Sequence, residues 1–390
     1  MIVTLGYALY FRQVVAGSDR YWGIAVSLSM LICALLAPPL GAIADATRGR
    51  KRFLLGFTLL SVLATAALYW VEAGMIFWGI ALFVIANVGF ESGIVFYDAL
   101  LPSLAPPTAT GRVSGYGYAM GYLGSLAILA LCFPLIQGGV VPENLDNFRL
   151  AFPITAAFFF IFALPLFLFV REPLSTAQPS SSFQQVVRSG FQRAWRTLRA
   201  LPRFPNLSRF LLAFFFYNDA ILTVISFSAI FAQTTLGFST EEVVVFFLVV
   251  QTAAILGSVL FGVLTDKYGP KRTILLSLLL WFVVVAVVFA VVSKWGFWTA
   301  GLLAGGAIGG TQSASRSLMV LLTPKERAAE FFGFFDGFFG KASAILGPVV
   351  FGILSDVLNQ RLAILSLAVF FLAGALLLSG VRETIETAAS

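Results

Sequence analysis

Histidine is absent from the 390 residues, and cysteine occurs only twice. Without histidine there is no Ser-His-Asp machinery, no imidazole metal ligand and no histidine proton relay. Cys33 and Cys132 lie inside apolar runs, where they read as small core hydrophobes and not as a disulfide or a metal site. Charge is scarce too: 11% of the residues are Asp, Glu, Lys or Arg, against the ~25% usual in soluble domains. There is no G-x-x-x-x-G-K-[ST] loop, because Gly340-Lys341 is followed by Ala342 and lacks the upstream glycine. Gly115-Tyr-Gly117 lacks a further glycine and has no βαβ surroundings, so it is not a cofactor loop either. No nucleophile–base pair, metal set or cofactor site is left, and an enzyme is not expected.

What the chain does have is apolar length. It is 59% hydrophobic, with a mean hydropathy of +0.94. Apolar runs recur at Trp22–Ala44, Phe53–Trp70, Met75–Leu101, Val113–Ile136 and Leu150–Val170. After a polar stretch they resume at Ser208–Gln233, Val243–Thr265, Thr273–Val292, Trp295–Leu322, Phe331–Ser355 and Leu362–Val381. Each is long enough for a helix across a ~30 Å hydrocarbon core. A bilayer offers no water to unpaired backbone groups, and the runs do not alternate as barrel strands do, so an all-α membrane protein is expected. The earliest run, Ile2–Val15, is cut by Arg12 and is too short to span. It lacks the basic start and cleavage pattern of a signal peptide and reads as the outer half of a first helix truncated at its N-terminus. The count is then about 12 transmembrane helices. They fall into an N-terminal six-helix bundle at 1–171, a linker at 172–206 and a C-terminal six-helix bundle at 207–390.

The net charge of +7 does not point to nucleic acid here. With the start of the first helix placed in the cytoplasm, 18 of the 25 Lys and Arg fall on the cytoplasmic side and 5 on the other, while Arg316 and Lys341 lie inside spans. That bias is the positive-inside rule, and it places the protein in a cell inner membrane as a multi-pass protein with lipid as its partner. Trp22, Trp70, Trp78, Trp295 and Trp298 fall near the outer ends, where an aromatic belt is expected. In the linker, Val187, Phe191, Ala194, Trp195, Leu198 and Leu201 recur at helical spacing beside Arg188, Arg193, Arg196 and Arg199. That pattern fits a basic amphipathic helix on the inner membrane face, and a calmodulin-type target would use the same features.

Two internal repeats organise the rest. Gly262-Val-Leu-Thr-Asp266-Lys267-Tyr-Gly269-Pro270-Lys271-Arg272 closes one run and opens the next. An altered copy, Gly41-Ala-Ile-Ala-Asp45-Ala-Thr-Arg48-Gly49-Arg50-Lys51-Arg52, has one extra residue between the aspartate and the second glycine. The aspartates are 221 residues apart. Pro106 to Gly115 aligns with Pro324 to Gly333 at an offset of 218, as parallel repeats with a central site between them would. An aspartate at a span end can accept hydrogen bonds from the N-terminus of a neighbouring helix, a contact able to break in another conformation. The plain alternative is topology alone, since any inner turn should be basic.

Charges within spans are costly and are functional candidates. Asp219 lies mid-run beside Tyr217 and Asn218, Glu91 lies in the fourth run, and Lys341 in the eleventh with Asp336 nearer the cytoplasm. Gln251 and Gln312 add neutral polar groups. Asp219 and Glu91 suit a proton or cation site, or structural pairs, for instance with Lys341. Carboxylates with Lys341 at similar depth would suit a zwitterionic small solute, and a proton relay would need similar groups. Asp98 and Arg316 occupy equivalent positions at inner ends and read as gating or structural groups. The glycines at 115, 117, 121 and 124, and at 301, 305, 306, 309 and 310, read as close helix packing.

The 262–272 stretch resembles the G-x-x-x-D-[RK]-x-G-[RK]-[RK] signature of the major facilitator superfamily. The resemblance implies two pseudo-symmetric six-helix bundles working by alternating access, with helices 1, 4, 7 and 10 lining the cavity, and hence Glu91, Asp219 and Gln312 at or near it. Phe96-Tyr-Asp-Ala-Leu-Leu-Pro102, Gly115-Tyr-Gly-Tyr, Tyr217-Asn-Asp219, Gly310-Thr-Gln-Ser-Ala-Ser-Arg316-Ser and Glu330-Phe-Phe-Gly-Phe with Gly340-Lys341 are similar to the vacuole-effluxer branch. Its fungal members are linked to autophagy and amino-acid export. That branch begins its first helix with a Tyr-Asp-Trp-Ala-Asn type of segment, and this sequence starts after it. The drug-antiporter Gly-Pro signature of the fifth helix is absent, which disfavours drug export. The expected function is secondary transport of a small polar solute, amino acids first, with protons as a coupling partner and no nucleic acid. A receptor or assembly subunit on the same fold is the alternative, and polar groups at mid-depth in both halves favour transport.

Overall fold

The computed structural model describes residues 6–15, 19–47, 49–171 and 183–383, and the regular elements among them are all helical. In chain order, the first half supplies α1 (Tyr7–Gln13), α2 (Asp19–Thr47), α3 (Arg50–Ala67), α4 (Ile76–Asp98), α5 (Thr110–Ile136) and α6 (Leu145–Phe169). The linker forms α7 (Phe183–Ala200). The second half supplies α8 (Pro205–Leu236), α9 (Thr240–Tyr268), α10 (Pro270–Ala290), α11 (Lys294–Leu322), α12 (Ala328–Phe332), α13 (Leu346–Val357) and α14 (Gln360–Ser379). Among the described residues, ten helices are long and apolar enough to cross a membrane. At 29 residues α11 matches them in length, but its middle, from Gly305 to Ser317, is rich in glycine and hydroxyl side chains that lower its hydropathy.

The contacts divide the chain into two compact units. One holds Met1–Leu100, Gly124–Ala194 and Ala329–Phe338; the other holds Leu101–Leu123, Trp195–Ala328 and Phe339–Ser390. Each unit therefore contains one short segment from the opposite half of the sequence.

The core of the first unit is aromatic. Tyr7, Tyr10 and Phe11 are buried against Phe83, Phe148 and Phe152, and the Tyr10 hydroxyl donates to the Val71 carbonyl at 2.7 Å. Burying that many rings places the main favourable term in apolar contact, with the hydroxyl satisfied at the edge. Trp22 joins this core, its ring 4.4 Å from that of Phe83, and not the aromatic belt expected of it. Trp70, Trp78 and Trp295 are exposed at 66%, 61% and 83%, as belt residues would be.

In the second unit α9 and α11 meet through glycine. A Cβ at Gly305 or Gly309 would overlap the carbonyls of Val250 and Ala254 on the facing helix, and one at Gly257 would overlap Gly306. With no side chains between them the backbones approach closely, the usual way membrane helices gain contact when lipid is as apolar as the protein. Gly121, by contrast, faces open space. Gly309→Val is expected to lower the thermal midpoint of the detergent-solubilised protein, through the roughly 1–3 kcal/mol that overpacking costs. Gly121→Ala should leave the midpoint unchanged in the same melting experiment.

The eleventh apolar run is not the single helix its hydropathy predicts. From α12 it continues as a π-helical stretch, Gly333–Phe339, and one turn, Gly340–Ala342. It then breaks over residues 343–345 and resumes as α13. Three glycines lower the helix propensity before the break. Pro348, in the first turn after it, has no N–H to return to the residue four before, so a continuous helix would leave the Ala344 carbonyl unpaired.

The two aspartate turns also differ. In the second, the Gly269 N–H bonds to the Thr265 carbonyl and Gly269 sits at φ 88°, open to glycine at little cost. In the first, the inserted residue lets the Gly49 N–H reach back to Ala44 with φ −118°, so no positive φ is needed. Arg48 lies outside the described residues. The basic residues that follow do equivalent work. The Lys51 ammonium donates to the Val170 carbonyl at 2.6 Å, just past the end of α6. Lys271 donates to Ser379 and Val381 at 2.6 and 2.7 Å, at the end of α14. A cation at a helix C-terminus meets unpaired carbonyls and the negative end of the dipole.

Candidate functional site

Two groups of residues combine charge, burial and helix ends. The first is the pair of motif aspartates. The two Asp45 carboxylate oxygens accept from the backbone N–H groups of Ala329 at 3.1 Å and Glu330 at 2.9 Å. The Asp266 oxygens accept from Gly111 at 2.7 Å and Arg112 at 3.2 Å. Each aspartate therefore caps the N-terminus of a helix from the other half of the sequence: Asp45 caps α12 and Asp266 caps α5. Those helix starts are the 324–333 and 106–115 repeats. An N-terminal turn has free N–H groups and a positive dipole end, both matched by a carboxylate. The glycines make the approach possible. A Cβ on Gly41 would overlap the Ala329 carbonyl, and one on Gly262 would lie 2.8 Å from the Gly111 oxygen.

An arginine completes each cap. Arg50 holds Asp45 through Nε at 2.7 Å, and Arg112 holds Asp266 through Nε at 2.7 Å. The first pair is dry, at 13% and 0% side-chain exposure, and the second is wetter, at 50% and 10%. Arg50 also donates to the Ala99 carbonyl at 3.2 Å. Glu330, itself fully buried, is paired with Arg193 of α7 at 2.9 Å.

The second group surrounds the break between α12 and α13. Tyr217, Asn218 and Asp219 are consecutive on α8, so their side chains fan out at about 100° intervals toward three neighbours. The Tyr217 hydroxyl bonds to Ser315 Oγ of α11 at 2.7 Å. Asn218 donates to Ser343 Oγ at 2.7 Å, and Ser343 donates on to the Gly340 carbonyl at 2.8 Å. The Gly347 N–H lies 2.9 and 2.8 Å from the two oxygens of Asp219. Asp219 is fully buried, and its hydrogen-bond partner is the start of α13. A Cβ on Gly347 would lie 2.7 Å from Asp219 Oδ1, so only glycine admits the carboxylate here. Two consecutive residues of α8, Asn218 and Asp219, thus hold the two sides of the break, while Tyr217 ties the same helix to α11. Such interruptions, with half-helix N-termini turned inward, are where many transporters bind solute and ions. Thr223, one turn beyond Asp219, borders a cavity of about 80 Å³ walled by Phe227, Phe246 and Phe351. That cavity is apolar, and the polar contacts lie at the break.

The other predicted residues are distributed as follows. Gln312 accepts from the Tyr122 hydroxyl at 2.5 Å. Arg316 is buried. It donates to Ser114 Oγ at 2.9 Å and to the Ser114 carbonyl at 2.6 Å, with its guanidinium 4.3 Å from the Tyr118 ring centre. Asp98 is likewise buried, at the end of α4. Glu91 is half-buried on α4, and Lys341 is half-buried in the turn before the break. Lys267 lies 5.1 Å over the Tyr268 ring, and Arg272 is exposed at the start of α10. Sequence reasoning missed Gly347, Ser343, Ser315 and Ser114, and the pairing of Arg193 with Glu330. Gly347-Pro348 after a lysine-bearing turn was the signal available for the first two. Among the described residues no group of His, Cys, Asp and Glu is placed to hold a metal ion.

The family model described as vacuole effluxer Atg22 like matches residues 9–386. The chain belongs to that family. It is 28% identical over 99% of its length, and over 92% of the relative's, to the uncharacterized MFS-type transporter YxiO of Bacillus subtilis. It is 25% identical to autophagy-related protein 22 of Kluyveromyces lactis, covering 85% of this chain and 73% of that one. Among solved structures, the proton:xylose symporter XylE bound to 6-bromo-6-deoxy-D-glucose superposes with a TM-score of 0.76 at 16% identity, covering 98% of this chain and 93% of that one. The human organic anion transporter MFSD10 gives 0.72 at 17% identity, over 96% and 89%. At such identities these structures establish the fold. This member of the effluxer family is a multi-pass membrane transporter of the major facilitator superfamily, and the fold agrees with the expected all-α architecture.

Proposed function

We propose that the chain is a secondary active transporter that exports a small polar, amino-acid-like solute by alternating access, coupled to protons. The moving bodies are the bundles at 1–171 and 207–390, joined by 172–206. The observation that carries this reading is the crossed pair of aspartate caps. Each joins the two halves of the sequence through hydrogen bonds to a helix N-terminus, a contact that can be made or broken as a unit. On the positive-inside orientation both caps lie at cytoplasmic helix ends of an inner-membrane protein, and in this reading they form its cytoplasmic gate.

The break held by Asn218 and Asp219, with Tyr217 beside them, is the coupling centre in this reading. A carboxylate buried in a span is costly unless it is used. Here it sits on a half-helix N-terminus, where gain or loss of a proton would change how strongly α13 is held. Glu91, Gln312 and Lys341 are the further solute and ion contacts proposed, with Asp98 and Arg316 as gating groups. Lys341 and the carboxylates supply the opposite charges that a zwitterion needs. The effluxer description of the family supports the export direction.

The test is a panel of amino acids and other small polar solutes presented to purified protein in proteoliposomes containing a trapped pH dye. A transported solute is expected to move protons and to accumulate only under a pH gradient. Solute flux that ignores the gradient in both wild type and Asp219→Asn would remove proton coupling. Absence of flux for every zwitterion, with another solute class carried, would remove the amino-acid reading.

A further inference from the structure

The linker helix α7 has two faces of different character. Gly190, Ala194, Thr197 and Leu201 are buried, and at helical spacing they form one stripe. Gly190 lies against Ile43 and Pro39 of α2, and a side chain there would collide with Ile43. On this side Arg193 is paired with Glu330, and Thr197 receives Arg327 at 2.5 Å. Phe191 and Trp195, which the sequence pattern groups with the apolar residues of a helix on the inner membrane face, are 48% and 55% exposed.

The opposite stripe is basic and aromatic together. Arg188, Trp195 and Arg199 fall nearly in line on it, with Phe191 and Arg196 at its flanks, and all five are exposed. The Arg199 guanidinium lies 4.9 Å from the Trp195 ring centre. Among the described residues Arg188, Arg196 and Arg199 make no ion pair with protein. The depth of the helix follows from its neighbours. Pro39 and Ile43 lie 8 and 4 residues before Thr47, the last residue of α2. At 1.5 Å per residue that is about 6–12 Å inside the end of a membrane-length helix. A helix packed there lies level with lipid headgroups.

We propose that this free face of α7 binds anionic phospholipid headgroups: the three guanidiniums take the phosphates while Phe191 and Trp195 enter the acyl boundary. The charge is complementary to an anionic leaflet. Arginine forks match phosphate oxygens in pairs, and tryptophan favours this interface.

The test uses the full chain in nanodiscs containing either dibrominated phosphatidylglycerol or dibrominated phosphatidylcholine at the same low mole fraction. The chain has seven tryptophans, so the difference in fluorescence quenching between wild type and Trp195→Phe isolates Trp195. The anionic lipid is expected to quench that component several-fold more, roughly the fivefold that one arginine near an anionic surface supplies. The preference should vanish in Arg188→Gln/Arg196→Gln/Arg199→Gln, persist in Arg199→Lys, and weaken at about 1 M salt. Equal quenching by the two lipids would overturn the proposal. So would quenching by neither, which would turn the face toward water or an acidic protein. If the triple variant does not reconstitute, the two-lipid comparison on wild type and Trp195→Phe decides alone.

Discussion

Asp219→Ala is expected to lower solute flux in proteoliposomes on the order of tenfold to a hundredfold, with the protein still inserted. The alanine leaves the Gly347 N–H without its acceptor in a fully buried site. An orphaned buried donor costs about 1–3 kcal/mol, and the first turn of α13 also loses the charge at its dipole. Each ~1.4 kcal/mol misplaced in the conformational cycle is a factor of ten in rate. Asp219→Asn separates the two roles of this carboxylate. Asparagine keeps an oxygen on Gly347 but cannot carry the proton. It is expected to retain exchange of labelled solute between the two sides while losing accumulation driven by a pH gradient. Counterflow and gradient-driven uptake, measured on the same vesicles, distinguish these outcomes. An Asn variant that accumulates solute as wild type does would confine Asp219 to the structural role of a cap. Gly347→Ala provides the partner test. Its methyl would enter the space of the Asp219 carboxylate, so the two substitutions should lower flux by similar amounts and be non-additive when combined.

The second large effect belongs to the aspartate caps, and the structure makes it asymmetric. Losing an N-cap side chain costs about 0.5–2 kcal/mol, and hydrogen bonds to a charged acceptor are worth more than neutral ones. Asp45 is dry and is shared among Ala329, Glu330 and Arg50. Its removal also leaves Arg50 half-partnered in a buried setting, where an unpaired charge is expensive. Asp266 pairs with an arginine that is half exposed, so water and salt already weaken that pair. Asp45→Ala is therefore expected to shift the gate equilibrium roughly tenfold to a hundredfold, and Asp266→Ala by a few-fold. High salt should mimic part of the second effect and little of the first. Spin labels at Thr47 and Glu326, in a background without the two buried cysteines, report the shift as a new population at longer distance. Unchanged distance distributions in both variants would remove the gating role.

Much of this was legible in the residues. Hydropathy located the spans because a bilayer forces long apolar helices. The two repeats marked the duplication, and an aspartate at a neighbouring helix N-terminus was anticipated on dipole grounds, without the second repeat being named as that helix. The crossing of the caps was not legible, because the offsets of 221 and 218 fit pairing within a half as well as between halves. The break at 343–345 was hidden by an apolar background that continues from Phe331 to Ser355, and hydropathy does not register a missing N–H. Only Gly347-Pro348 marked it. Asp219 was singled out by depth, but its partner proved to be a backbone amide, and backbone amides have no signature in sequence. Trp22 was misplaced for a related reason. Periodicity gives the faces of a helix but not which face meets protein, and on α7 Gly190 decided that by allowing contact where a larger residue could not.

The crossed caps also set a schedule for biosynthesis. Asp45 receives its amides from residues 284 and 285 positions further along, and the start of α5 waits for an aspartate some 155 positions on. At translation speeds of about 5–20 residues per second, Asp45 stands without its amide partners for roughly 15–60 s after it is made. During that interval the end of α2 keeps only its local arginine, and the first turn of α5 has no cap. The first half of the chain therefore enters the membrane with its motif ends still hydrated, and they close only when the last third of the protein arrives. A nascent chain stalled before residue 329 should hold Asp45 accessible to water, with the ribosome itself acting as the last constraint on the gate.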